Sequence, residues 1–445
     1  MRIAAIISVP VLLSGCVHLG ARPMTFHCGD LLTGNIETYQ STPLFAEIQR
    51  DAGFDECPDG PDGKPECGGT SLHTENAARA DDPIVGALQG WQARKSALLT
   101  PQGKSAPVDV PVLMLSGGGS WGAFGAGYLN ALGKRDWAVV TGVSTGALQG
   151  LFVAAGDYAG LEAAYRIGNE GELSKKNSLL RMLSRGSEND ISPLRAKVMA
   201  YLLPASGTQS PLLRMARPES PAYSVATVEA RSGDLKVVHI TQLVRRALAA
   251  NAPLPRIAEC VAGAAIASSS IPVRLTPVQI DGTTYTDGGV RSSVFDTGIG
   301  QRMRKFLASA DARARPHLYV IRNGPTIVFR DPDDEDRPGT AEVDARPDIL
   351  RLGMRGYSTI VNQNELMSVA SLRLNYPRGP VSVISADGFN SAGNPKPCGP
   401  RPAALFNAVF MGCLADWGNF KAKNGPGFIE LRELEMKTLP APATR

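Results

Sequence analysis

Ser144 stands in Gly142-Val143-Ser144-Thr145-Gly146, a G-x-S-x-G pattern that can present a serine hydroxyl as a nucleophile. The chemistry wants glycine at both ends, because the chain must turn sharply and leave no side chain in the way of an incoming carbonyl. A second cluster, Gly117-Gly118-Gly119-Ser120-Trp121-Gly122, exposes successive backbone N–H groups and suits an oxyanion hole. Gly117, Gly119 and Gly122 also satisfy G-x-G-x-x-G, but the acidic residue that should close the next strand and bind a ribose is missing. A phosphate-binding P-loop fails too, since Ala123 and Phe124 follow Gly122 where Lys and Ser/Thr belong. A nucleophilic serine needs a base. Downstream of Ser144 the histidines are His239 and His317, each inside an apolar, strand-like run, so both read as packed strand residues. Asp287 in Tyr285-Thr286-Asp287-Gly288-Gly289-Val290 is the better partner, although glycines beside an aspartate usually mean only a turn.

These residues need elements to hold them. Val112–Leu115 is a short apolar run bounded by turn signals, which predicts a strand buried on both faces. The first glycine cluster follows it, then a small-residue helix to Leu132 closed by Gly133, then a strand at Trp137–Thr141. Ser144 therefore sits between a strand and a helix that runs to Ala155, with Gly156 behind it. Further strands are expected at Ser224–Glu229, Leu235–Ile240 and His317–Arg322, and a helix at Asp82–Leu98. Strands separated by helices predict an α/β layered fold.

The 445 residues, 43% hydrophobic and 20% charged, fit a globular chain rather than a disordered or polytopic membrane one. The net charge of +4 is spread along the chain, so nucleic acid is not an expected partner. Arg2, the apolar run Ile3–Leu13 and Leu13-Ser14-Gly15-Cys16 look like a bacterial lipoprotein signal. The run is too short to span a bilayer. The resemblance implies cleavage before Cys16, lipid on that cysteine and membrane anchoring; Val17, where an Asp would retain the protein at the inner membrane, favours the outer one. Of the seven cysteines, six then remain for an oxidising compartment. Local closure of Cys57 with Cys67 and of Cys398 with Cys413 is expected, with Cys260 a small buried thiol. The scattered histidines give no zinc site. The acidic stretch from Arg330 to Arg346 reads as a solvated loop.

The motifs together resemble the patatin-like lipid acyl hydrolases. The resemblance rests on Ser116-Gly117-Gly118-Gly119-x-x-Gly122, on Gly142-x-Ser144-x-Gly146 and on Asp287-Gly288-Gly289, in that order. Supporting stretches are Asp190-Ile-Ser-Pro-Leu194, Ala267-Ser-Ser-Ser-Ile-Pro-Val273 and the region of Thr227 and Glu229. It covers about Val110 to Arg322 and extends to the helix Pro347–Leu374. It implies a three-layer α/β/α patatin-like fold with a mainly parallel central sheet. It also implies Ser144 as nucleophile, Asp287 as base, Gly117, Gly118 and Gly119 as oxyanion hole, and neither cofactor nor metal. Membrane lipid or a lipid ester is the implied substrate, and the alternative is a non-catalytic envelope lipoprotein that keeps the fold. The expected organisation is a signal at residues 1–15, an N-terminal extension at 16–107, the catalytic domain at 108–375 and a C-terminal extension at 376–445, with the oligomeric state open.

Two further expectations follow. A free aspartate is a weak base at neutral pH, so Asp287 should be partly desolvated. Trp121 stands where these proteins usually carry Arg or Lys, which weakens a phospholipid preference; it reads either as an apolar wall of the site or as core. The stretch Leu173–Arg185 mixes apolar and basic residues and reads as a surface helix, with a membrane-facing lid as the alternative.

Overall fold

Runs of β-branched and aliphatic residues at Val108–Leu115 and Val139–Val143 form the centre of an eleven-stranded sheet. The structure is a computed structural model. It describes residues 22–39, 82–95, 108–295, 314–326, 349–376 and 379–431, without 179–180, 183–185, 206–208, 400, 401, 403 and 426, and also residues 302, 303 and 306. Cys16, Cys57, Cys67 and the stretch 330–346 lie outside the described residues.

In chain order the elements are β1 (Met24–Phe26), β2 (Ile36–Tyr39), α1 (Pro83–Lys95), β3 (Val108–Leu115), α2 (Gly122–Leu132), β4 (Val139–Val143), α3 (Thr145–Ala155) and α4 (Tyr158–Tyr165). They continue with α5 (Ser192–Leu202), α6 (Pro211–Met215), β5 (Ala222–Glu229), β6 (Leu235–His239), α7 (Ile240–Ala249), α8 (Leu254–Ser268), β7 (Val278–Ile280) and β8 (Thr283–Asp287). The last are β9 (Ala314–Arg322), α9 (Ile349–Asn375), β10 (Val381–Ser385), α10 (Ala408–Asn424) and β11 (Ile429–Glu430).

The central strands β5-β4-β3-β9-β10 are all parallel. Antiparallel partners are confined to the flanks, where β8 and β6 join β5 and β11 joins β10. Alternate residues of β3 serve two cores. Leu113 and Leu115 face the side covered by α2, α3, α8 and α10, whereas Val110, Val112 and Met114 face the side covered by α1 and the end of α9. The fold is thus a three-layer α/β/α arrangement around a mainly parallel sheet. Residues on both sides of the 108–375 span add strands to it: β1 and β2 pair with β7 and β6, and β10 pairs with β9.

Cys260 is not a free thiol. It is bonded to Cys28, 232 residues away in sequence. The strand β1 lies beside β7 with Phe26 against Gly263 of α8, which carries Cys28 over the helix; a rule of local closure cannot see that approach. The Cys398–Cys413 bond forms as expected.

Candidate active site

Ser144 and Asp287, 143 residues apart in sequence, meet on one edge of β5. β4 runs parallel along that edge and ends with Val143 opposite Ala226. β8 runs antiparallel along the same edge and ends with Asp287 opposite Thr227, the next residue of β5, because β6 occupies the other edge. The two strands therefore arrive head to head, and their last side chains converge.

The chain reverses at Ser144, which adopts φ 53° and ψ −124° before α3 begins at Thr145. Such a backbone is costly for a residue with a side chain and persists only where its surroundings enforce it. The turn is so close that a Cβ on Gly146 would lie 2.3 Å from the Leu115 carbonyl oxygen, and one on Gly142 2.4 Å from the Gly146 carbonyl oxygen. Three serines at the end of α8 hold the geometry. Ser268 Oγ accepts the Ser144 N–H at 2.9 Å and donates to Ala226 O; Ser269 Oγ donates to Ser144 O at 2.9 Å; Ser270 O accepts the Asp287 N–H at 2.9 Å. The sequence showed this stretch only as part of a resemblance, without a role for any of its hydroxyls.

Ser144 Oγ donates to Asp287 Oδ2 at 2.6 Å, and the Gly289 N–H donates to Asp287 Oδ1 at 2.7 Å. Gly288 starts the tight turn behind the aspartate. Burial pushes the Asp287 carboxyl up, the bonds from Ser144 and Gly289 pull it partly back, and it comes to rest at about 6. A carboxyl so placed can exchange a proton with the serine near neutral pH. His239 and His317 are engaged elsewhere. His239 bonds Ser224 and lies 3.1 Å from Glu37, and His317 bonds Asp109 and Ser382.

The glycine cluster separates into roles. The Gly117 N–H is committed to the Ser293 carbonyl at 3.0 Å, so it is not a free donor. Gly118 and Gly119 follow at φ 146° and 58°, with no backbone acceptor for their N–H groups among the described residues, and Gly119 shares a cavity wall with Ser144. A Cβ on Gly118 would lie 1.9 Å from the Asn323 carbonyl oxygen. Gly122 opens α2. A buried network below fixes the loop: Ser116 Oγ donates to Gly117 O at 2.8 Å and accepts the Asn323 N–H at 2.9 Å. Asn323 and Gln149 bond amide to amide at 3.0 and 3.1 Å, and Gln149 Nε2 also reaches Gly122 O at 2.7 Å. No sequence pattern pointed to Asn323 or Gln149.

Trp121 is core. It meets Phe389 and Phe410 edge to face at centroid distances of 4.9 and 5.2 Å, both from the C-terminal part of the chain, which closes over the position of the usual cation. Ser144 opens onto an apolar cavity of about 350 Å³ whose walls include Leu148, Phe152, Val198, Ile271, Phe406 and Met411. Leu173 also lines it, and the stretch after Leu173 starts as a short extended ladder in which Lys175 and Lys176 pair with Asp190 and Asn189. Of the rest of that stretch, Arg181 and Met182 are helical, with the Met182 N–H on Ser178 O, and residues 179, 180 and 183–185 lie outside the described residues.

Fold and site together define a three-layer α/β/α protein with a serine on a sharp strand-to-helix turn. Residues 113–295 match the family described as patatin-like phospholipase, and the match supports lipid acyl hydrolase activity in general. Among solved structures the chain is similar to VipD from Legionella pneumophila, at 12% identity over 72% of each chain with a TM-score of 0.28. No curated protein matches it.

Proposed function

We propose that this chain is a serine lipid acyl hydrolase of phospholipase A, lysophospholipase or esterase type, working through a Ser144–Asp287 dyad and an acyl-enzyme. The observation that carries the reading is the 2.6 Å bond from Ser144 Oγ to a buried carboxyl at the head of an apolar cavity. The acyl chain lies in that cavity with its carbonyl carbon at Ser144. Oγ attacks as its proton passes to Asp287 Oδ2, and the carbonyl electron pair moves onto oxygen. The N–H groups of Gly118 and Gly119 hold that oxyanion, each worth about 3 kcal/mol in the transition state. The tetrahedral adduct collapses, the ester bond breaks, and the departing alcohol takes the proton from Asp287. Water then attacks the acyl-enzyme and gives its proton to Asp287, Ser144 regains a proton as it leaves, and the fatty acid is released.

The base must be ionised to start the cycle. Activity should rise with pH along a limb centred near 6 and fall away below it, as pH–rate profiles on a soluble ester would register. Treatment with a fluorophosphonate followed by mass spectrometry tests the nucleophile: an adduct on Ser144 is expected, and its absence from folded protein would sink the reading. Comparison of wild type with Ser144→Ala on phospholipids, lysophospholipids and neutral esters then fixes the subtype. The aromatic burial of Trp121 leaves that position of the glycine loop without a cation for a phosphate, which favours no particular head group.

The anchoring reading extends the same proposal. Cleavage before Cys16 and acylation of that residue tether the enzyme to the bacterial envelope, at the outer membrane. Mass analysis of the N-terminal peptide and fractionation of a Cys16→Ser variant test it; a Cys16→Ser chain that stays membrane-bound would refute lipid anchoring.

A further inference from the structure

A second cavity, of about 280 Å³, lies where β4 and β5 begin, at the strand ends opposite Ser144 and Asp287. It is walled by α1, by the approach to β5 and by α7, and Arg94, Arg245 and Arg246 all line it. Arg245 donates through Nε and Nη2 to the carbonyls of Ala216, Arg217 and Ser220 at 3.2, 2.6 and 3.2 Å, and among the described residues its Nη1 has no partner. Arg94 makes one long bond, from Nη1 to Pro218 O at 3.3 Å. Every one of these acceptors is a neutral carbonyl. Among the described residues no carboxylate comes within ion-pair distance of Arg94 or Arg245, and Glu219 opposes Arg245 from further away. Burial and the like charge of Arg94 both push the Arg245 guanidinium down.

The half-buried Arg245 and the exposed Arg94 face one cavity with no carboxylate between them among the described residues, an arrangement that an anion would complete. Guanidinium forks match phosphate oxygens with paired hydrogen bonds, and a cavity at the small end of the ligand-binding range suits a compact polar group. We propose that this cavity is a binding site for a phosphate group, separate from the hydrolytic site. Gln242 lies on the same wall, beside Thr241, whose hydroxyl is held between Pro221 O and the Tyr223 N–H. The group can be carried by free phosphate or by an anionic lipid head group.

The test is calorimetry on the full chain with inorganic phosphate and glycerol 3-phosphate against chloride of equal ionic strength. Flotation with phosphatidylcholine vesicles, with and without phosphatidic acid, forms a second arm. Saturable binding of the soluble phosphates identifies a free-anion site, whereas binding only to the phosphatidic acid vesicles identifies a head-group site. Arg94→Gln should weaken either one about tenfold or more. Gly86→Leu is the independent check: Gly86 lines the cavity, a Cβ there has nothing within 4 Å, and leucine fills the space while leaving both arginines in place. Since Gly→Leu favours a helix, this variant should fold and still lose binding. Absence of binding in both arms, or unchanged affinity in both variants, overturns the proposal.

Discussion

Two buried carboxyls at opposite ends of the sheet respond to burial in opposite ways. Among the described residues Asp287 receives a hydroxyl and a backbone amide alone, and burial pushes it up to about 6. Burial pushes Glu37 up as well, but His239 at 3.1 Å and the Arg302 guanidinium at 2.6 Å more than reverse it and hold it at about 2. Arg302 Nε also bonds Asp82 at 2.7 Å, so the cluster ties β2, the start of α1 and the end of β6 together. Loss of water sets the size of the effect, and the presence or absence of a counter-charge sets its direction. Among the described residues, the end of the sheet proposed to move protons has no cation against its carboxyl, whereas the end that joins segments has the Arg302 guanidinium.

The largest expected effect falls on the uncompensated carboxyl. Ser144→Ala and Asp287→Asn should each lower kcat on a soluble ester by about 10⁴-fold, since groups that act as one unit fail together. Initial rates at pH 8 check this, and an Asp287→Asn enzyme that keeps a sizeable share of the rate would remove the contrast at its root. Next comes Glu37→Gln, which should destabilise the fold by about 1–3 kcal/mol in urea melts at pH 7, because Arg302 loses one of its two buried carboxylates among the described residues and keeps Asp82. Asp287→Asn should do the reverse. The folded chain holds the Asp287 proton up to about 6 while the unfolded chain releases it near the ordinary value of 3.8, so ionisation costs stability as pH rises between them. The amide removes that cost, and at pH 8 the variant should gain up to roughly 3 kcal/mol. Glu37 has the opposite slope: its contribution is complete above its ordinary 4.5 and is lost as pH falls towards 2.

What could be read from the sequence follows the range of the interaction. Ser144 and the glycine loop were legible because a strand, a turn and a helix succeed one another within a few residues, and glycines are required there by contacts as close as 1.9 Å. The α/β class and most central strands followed from the same local patterning. Asp287 was weaker, since its turn has no local mark of chemistry and its meeting with Ser144 depends on β4 and β8 sharing one edge of β5. Asn323 and Gln149 left no signal, because an amide pair forms only when the end of β9 lies under the glycine loop. Cys28–Cys260 and the Trp121 cluster were hidden for the same reason: each depends on a segment that returns from a distant part of the chain.

A third carboxyl separates counter-charge from burial. Asp109 has the same kinds of partner as Glu37, with Arg315 Nε at 2.7 Å and His317 Nδ1 at 2.9 Å, yet its side chain is 35% exposed. Burial raises its carboxyl, and the bonds from His317 and Arg315 outweigh that and leave it below the ordinary carboxylate value. Its contribution is therefore present above its unfolded value and declines as pH falls below it. Water screens this pair, so Asp109→Asn should cost under about 1 kcal/mol at neutral pH, less than Glu37→Gln. Urea midpoints of the two variants at pH 7 make the comparison. If Asp109→Asn costs as much as Glu37→Gln, partner type rather than burial sets the magnitude, and the gradient from Asp109 through Glu37 to Asp287 collapses.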